Sequence, residues 1–159
     1  RDLVRSRGLG DVYKRQLENG GGILEEGLLD VVERIGIKNI LLDPGTMPFG
    51  QRAGDTFKSI PVLKSRYGIP AGCAPHNLVE AWKWLKGRRK EGYTESYRHC
   101  DTASNALAVG MGANFVIYGP IDMAPVVFPS IAMLDMINAE GADDFGMVQT
   151  ANHPRRFLL

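Results

Sequence analysis

Apolar positions along this chain follow two periods in turn. Residues 23–35 place Leu24, Leu28, Val31, Val32 and Ile35 on one helical stripe, and Gly36 follows where helices commonly end. Residues 37–42 (IKNILL) are a short, mainly apolar run without polar alternation, read as a strand covered on both faces. A loop over 44–55, with Gly45, Gly50 and Gly54, leads to a helix over 56–67 whose early part Pro61 limits or kinks. A second strand is expected at 69–74. A strong helix should follow at 77–90, with Leu78, Ala81, Trp82 and Leu85 facing inward. A short connection around Cys100-Asp101, a helix over 102–111, a strand at 114–118 and a helix near 129–140 complete the series. The tail from 141 reads as irregular, and no segment repeats at a fixed period.

The order β-α-β-α-β is that of parallel α/β folds. Three strands do not close a barrel of eight, so the expected fold is α/β and half of a larger TIM (β/α) barrel, cut on its amino-terminal side. A complete flavodoxin-like fold is the competing reading and would want five strands. In such folds chemistry collects at the carboxyl ends of strands. Two polar residues hold those positions: Asp43, in Asp43-Pro44-Gly45, and Asn77, in Pro75-His76-Asn77. No Gly-x-Gly-x-x-Gly or phosphate-loop sequence follows any of the strands.

The first sixteen residues change the charge argument. They carry five basic residues against two acids with no sustained apolar period, and read as a non-native extension resembling adapter read-through. The domain proper is then 17–159, with 14 basic and 16 acidic residues, near −2 where the whole chain is +1. Neither value supports a broad nucleic-acid-binding face. Arg88-Arg89-Lys90 reads as a solvated helix end. Cys73 and Cys100 suit a reducing compartment better than a disulfide scaffold. The most apolar stretch, 123–134, holds Pro125 and Pro129 and is shorter than the roughly 20 residues a membrane span needs.

Each candidate side chain has a structural and a functional reading. A carboxylate at Asp43 can accept two parallel hydrogen bonds, as the amino-imine edge of a pterin or guanine-like ring offers; it can also close an Asp-Pro turn. Asn77-Leu78-Val79-Glu80 fits a helix N-cap with a reciprocal partner, yet a neutral amide at a strand tip can equally meet a ring nitrogen. Asn105, near Asp101 and Ser104, reads as a helix-surface or capping group. Cys73 and His76 have a C-x-x-H spacing, with His99, Cys100 and His153 elsewhere, but zinc sites want two tight pairs or three protein ligands, so no metal is expected. The loop Gly50-Gln51-Arg52-Ala53-Gly54 could fold over a bound ring, and Gly119 would permit close approach by a ligand or a neighbouring segment.

Four segments together carry a resemblance: residues 41–54 (LLDPGTMPFGQRAG), 72–84 (GCAPHNLVEAWKW), 100–105 (CDTASN) and 114–122 (NFVIYGPID). They resemble the tetrahydromethanopterin S-methyltransferase H-subunit family, over about 17–159 and roughly the carboxyl-terminal half of the family's length. His153-Pro154 matches the family's ending, although Arg155-Arg156 is unusual there; Arg52 stands where a glycine is expected. The resemblance implies a TIM barrel related to methyltetrahydrofolate:corrinoid methyltransferases, with Asp43 holding the pterin ring and Asn77 reaching its N5 region. Other pterin-binding residues would lie in an amino-terminal half.

The implied reaction moves a methyl group from N5-methyl-tetrahydromethanopterin to a cob(I)alamin corrinoid carried on a partner subunit. Further complex subunits, a homodimer of the full-length protein, and a cytoplasmic position meeting a membrane only through the complex are also implied. Bacterial relatives transfer methyl groups between corrinoids and tetrahydrofolate, and a non-catalytic pterin-binding subunit is a third reading. A half barrel alone is expected to be unstable and inactive, because its sheet edges and helix faces are uncovered.

Overall fold

A computed structural model of the chain describes residues 27–158. Residues 1–16 and the start of the first expected helix, 23–26, lie outside the described residues. Helix α1 is Leu28–Arg34, followed by Gly36 in the left-handed region at φ 78°. The expected strand 37–42 is realised at one residue only: Leu42 forms a parallel bridge to Ala71. Its amide donates to Pro70 O at 2.9 Å and its carbonyl accepts from Gly72 N at 3.0 Å. Ile37 and Leu41 are 47% and 62% exposed, so this segment lacks the double cover that its apolar run suggested.

Strands β1, Gly72–Cys73, and β2, Phe115–Val116, pair in parallel, with Gly72 opposite Phe115 and Cys73 opposite Val116. The ladder extends through Asn114 N to Ala71 O at 2.8 Å and Ile117 N to Cys73 O at 2.9 Å. Leu42, β1 and β2 thus stand side by side in chain order, as the sequence predicts, but each is shorter than its apolar run. Glycine at 72 is what permits the pairing. A Cβ there would lie 2.1 Å from the Phe115 carbonyl oxygen.

Helix α2, Ala53–Tyr67, begins earlier than expected, and Pro61 does not end it. Pro61 faces solvent, while Ile60 and Leu63 on either side of it are buried and hold both turns against the sheet. The expected helix 77–90 is instead α3, Pro75–Glu80, and α4, Lys83–Arg88, followed by a 3-10 turn Arg89–Glu91. Pro75 sits in the first turn, where its missing N–H is harmless, and advances the start by two residues. Ala81 is exposed rather than inward. The break at Trp82 coincides with its ring packing on Phe49 at 5.0 Å and stacking on Trp84 at 5.4 Å.

Helix α5, Thr94–Gly110, includes the stretch around Cys100-Asp101 that read as a connection. Tyr97, Asp101, Ser104, Asn105 and Ala108 form its buried stripe at helical spacing. Lys64 Nζ reaches the Gly112 carbonyl at 2.6 Å and satisfies an orphan acceptor just past its end.

A 3-10 turn, Ile121–Met123, runs into α6, Ala124–Asp143, and a short α7, Arg155–Leu158, lies in the tail. The apolar stretch is therefore longer than its prolines suggested. By length and composition, the continuous helical run Ile121–Asp143 suffices to cross a bilayer. Pro125 falls in the first turn and Pro129 faces solvent, so neither interrupts it. One face, with Val127 and Ala139 buried, packs against α5; Phe128, Met133 and Ile137 are exposed. The core lies between the strands and α2 to α5, built from Phe57, Ile60, Leu63, Cys73, Leu78, Val79, Leu85, Tyr97 and Ala108.

Candidate functional site

The carboxyl ends of Leu42, β1 and β2 open onto three short segments: 43–52, 74–77 and 117–120. Asp43 is exposed at the first tip. Its Oδ1 accepts from Gly45 N at 2.8 Å, so the turn reading is realised while the second carboxylate oxygen has no partner among the described residues. The loop after it is anchored to the next strand tip. Thr46 Oγ1 donates to Ala74 O at 3.0 Å, and the buried Thr56 accepts from Met47 N at 2.9 Å. Arg52 takes a left-handed conformation, φ 65° and ψ 38°, where a glycine would be unstrained, and pairs with Asp55.

Asn77 is also exposed, and the N-cap reading does not hold. Helix α3 starts at Pro75 with Ala74 as its N-cap, so Asn77 is the third helical residue and Glu80 the last. No side-chain cap bond forms. Asn77 thus has no structural duty at the strand tip among the described residues, and its amide is free to meet a ligand.

Cys73 is buried in β1. Burial, with a smaller contribution from the charge of Asp43, pushes its thiol up to about 12. It stays a thiol at neutral pH and is neither a nucleophile nor a ready metal ligand. His153, in the tail, pairs instead with Asp135 of α6 at 3.2 Å. Among the described residues no group of three His, Cys, Asp or Glu side chains converges as a metal site would need.

Next to Asn77 lies a polar cluster that the sequence did not reveal. His76 Nδ1 is 3.0 Å from Asp101 Oδ1, and the Asp101 side chain is fully buried. Burial raises the Asp101 carboxyl above the ordinary range, and the hydrogen bond from His76 opposes it only in part. The His76 ring meets the edge of Tyr97 at 6.4 Å. Behind it passes Gly119, where a Cβ would lie 2.2 Å from Nδ1; the close approach expected at this glycine is made by the imidazole. Tyr97 Oη donates to Glu80 Oε2 at 2.6 Å, and Lys86 pairs with the other Glu80 oxygen. Those two hydrogen bonds, Lys86 first, hold the Glu80 carboxyl below its usual range.

His76, Glu80, Arg89, Tyr97, Arg98 and Asp122 all line one cleft of about 380 Å³, within the size range of small-molecule sites. Arg89 is therefore more than a solvated helix end: its guanidinium lies over the Tyr97 ring at 4.2 Å and borders the cleft. Asn105, read as a surface group, is fully buried and donates to the Asp101 carbonyl at 2.8 Å.

The family profile described as the tetrahydromethanopterin S-methyltransferase MtrH subunit matches residues 11–150. The chain belongs to this family. Among curated relatives, the H subunit of the putative methyltransferase mtx of Methanosarcina barkeri is 41% identical over 143 residues, 90% of this chain and 46% of the relative. The tetrahydromethanopterin S-methyltransferase H subunit of Methanococcus aeolicus is 38% identical over 151 residues, covering 90% and 47%. That of Methanothermobacter marburgensis is 38% identical over 142 residues, covering 89% and 46%. The chain thus spans about half the length of the curated MtrH relatives it matches.

Within this MtrH-family chain, the sequence brought forward Asp43 and Asn77 at successive strand tips, and did not join His76, noted only for its spacing from Cys73, to Asp101. The signal for the second pair was present. A histidine sits at the same strand tip as Asn77, and the CDTASN segment carries Asp101, Ser104 and Asn105 on the stripe that includes Tyr97 and Ala108.

Proposed function

We propose that this chain supplies part of the pterin site of a methyltransferase subunit that moves a methyl group from N5-methyl-tetrahydromethanopterin to a corrinoid held by a partner subunit. The observation that carries the reading is the placement of Asp43 and Asn77 on neighbouring strand tips, both exposed, in a chain of the MtrH family. Asp43 would accept the paired N–H groups of the pteridine ring with both carboxylate oxygens, one on the oxygen that the Gly45 turn leaves open and one on the second lone pair of Oδ1. Asn77 would meet the N5 region. Together they fix the ring so that the methyl group faces the acceptor in line. The corrinoid supplies the attacking electron pair, and the tips must stay open enough to admit its carrier.

What the described residues leave uncovered supports a larger architecture. Leu42 and β2 have no further strand neighbours among the described residues, and Ile37, Leu41 and Ile117 are exposed. Closure of an eight-stranded TIM barrel by the rest of the protein would bury them and part of the outer face of α6. In this reading residues 17–159 are one half of the barrel and 1–16 lie outside it. The 159-residue piece by itself is unstable and inactive. The whole protein works as a homodimer in the cytoplasm and meets a membrane only through its complex.

Methyl transfer by the whole protein with its corrinoid partner tests this. Asp43→Asn should weaken pterin binding by about tenfold or more, the scale of a hydrogen bond to a charged group. Asn77→Ala should slow the transfer step by about 100-fold with smaller effects on binding, as loss of a transition-state donor does. Wild-type values for both would sink the assignment.

A further inference from the structure

The two side chains proposed to hold the pteridine ring stand on different segments: Asp43 opens the loop after Leu42, and Asn77 lies on α3. A rigid ring gripped at two points tolerates little change in their spacing, since a misplacement of about 1 Å can cost about 100-fold in rate. The loop, 43–52, is mostly exposed, and Gly45 and Gly50 take positive φ angles in it. Its place against the β1 tip therefore depends on a few side-chain bonds.

A continuous run of hydrogen bonds connects the two segments. Asp43 Oδ1 accepts from Gly45 N at 2.8 Å. Thr56, fully buried in the first turn of α2, donates to Gly45 O at 3.3 Å and accepts from Met47 N at 2.9 Å, so it grips the loop on both sides of residue 46. Thr46 Oγ1 in turn donates to Ala74 O at 3.0 Å, and the same oxygen accepts from Asn77 N at 3.1 Å. One carbonyl oxygen thus joins the loop that carries Asp43 to the backbone of Asn77. The Thr46 bond is surplus to what folding demands. Ala74 O keeps its bond from Asn77 N if the hydroxyl is lost, so no carbonyl is stranded. The far end of the loop is held separately, where the Phe49 ring packs on Trp82 at 5.0 Å. What the Thr46 bond adds is a fixed spacing between the loop and the start of α3.

We propose that Thr46 is a positioning residue of the pterin site, setting the spacing of the Asp43 carboxylate and the Asn77 amide through the Ala74 carbonyl. This rests on the pterin reading above. Thr46 acts through the other two residues and needs no contact with the ring. Its bond holds both groups in register before the ring arrives, so binding does not have to order the loop. Spacing matters only while both grips are present. The effect of losing the Thr46 hydroxyl must therefore shrink once Asp43 or Asn77 has itself been removed.

The test uses the whole protein with its corrinoid partner. Calorimetry gives affinity for the methylated pterin, and single turnovers give the rate of methyl transfer, for wild type, Thr46→Val, Thr46→Ser, Asn77→Ala and the double variant Thr46→Val with Asn77→Ala. Thr46→Val keeps the volume and removes the donor. It should melt within about 4 °C of wild type, the shift of one ordinary hydrogen bond. It should nonetheless transfer methyl about 10- to 100-fold more slowly, as a misplaced ring does. Thr46→Ser keeps the donor and should stay within about threefold of the wild-type rate. In the Asn77→Ala background, Thr46→Val should slow transfer by less than about threefold, because the two changes act through one geometry. A Thr46→Val rate within about twofold of wild type overturns the proposal. So does an equal loss in Thr46→Ser, or a Thr46→Val loss that persists in full without Asn77. A wild type that binds no methylated pterin overturns the function itself and this role with it. Should Thr46→Val fail to fold, a structure of the wild-type protein with the pterin bound decides: Thr46 Oγ1 must stay within hydrogen-bond reach of Ala74 O, and a broken tie refutes the role.

Discussion

His76 Nδ1 and Asp101 Oδ1 lie 3.0 Å apart, joining a strand tip to the middle of a helix 25 residues further along the chain. The contact fits only because residue 119, passing behind the ring, has no side chain. Gly119→Ala must displace the imidazole and strand a buried carboxylate. Breaking one side of such a pair costs about 3–5 kcal/mol, and partial relaxation of the ring would lower that. Urea unfolding of the whole protein should show a loss of at least 2 kcal/mol, about the cost of a stranded buried polar group. A loss under about 0.5 kcal/mol, the level of a neutral surface change, would mean that His76 and Asp101 do not depend on this approach.

Asp101 and Glu80 should give opposite slopes of stability against pH. The Asp101 carboxyl is raised in the fold by burial, so the folded state holds that proton more tightly than the unfolded chain. Stability relative to Asp101→Asn should therefore fall as pH rises from the ordinary Asp value of 3.8 through the raised one. The Glu80 carboxyl is lowered by hydrogen bonds from Lys86 and Tyr97. Its contribution is present above the ordinary Glu value of 4.5 and is lost as pH falls through the lowered one. Denaturation midpoints against pH, wild type minus Asp101→Asn and wild type minus Glu80→Gln, should slope in opposite senses. Parallel slopes would contradict the burial of Asp101 as the dominant influence.

Cys73 should be chemically silent. Its thiol is buried and pushed up to about 12, so almost none is thiolate at pH 8. Iodoacetamide followed by mass spectrometry should leave Cys73 unmodified in native protein, modify the half-buried Cys100 first, and modify both after unfolding. Rapid native labelling at Cys73 would remove it from the core.

Arg52→Gly should stabilise the protein. A left-handed arginine costs about 1–2 kcal/mol, against a smaller entropic cost of glycine and an exposed ion pair to Asp55 worth about 0–1 kcal/mol. A gain of roughly 0.5–1 kcal/mol in thermal or urea unfolding is expected, within the usual range for relieving one strained position. A loss would show that the Asp55 contact outweighs the strain.

The parallel order Leu42, β1, β2 was legible because short, mainly apolar runs separated by helical stripes admit few other arrangements. Strand lengths were not, since pairing depends on neighbours that local pattern does not contain; Ile37 and Leu41 are apolar and yet exposed. The helix from 75 to 91 departs from its pattern where the ring contacts of Trp82, with Phe49 and Trp84, accompany its break. Asp43 and Asn77 stood out because each closely follows an apolar run. Asp101 could not be found that way. Its importance comes from facing His76 across 25 residues, which the stripe Tyr97, Asp101, Ser104, Asn105 and Ala108 encodes only once the whole of α5 is recognised as one helix.

The most direct test of the proposed pterin site is a crystal structure of the whole protein with N5-methyl-tetrahydromethanopterin. The account expects the pteridine ring across the tips of Leu42 and β1, with its amino-imine edge on Asp43 and its N5 within hydrogen-bond reach of Asn77. A ring bound elsewhere, with both side chains turned to solvent as they are in the free chain, would contradict it.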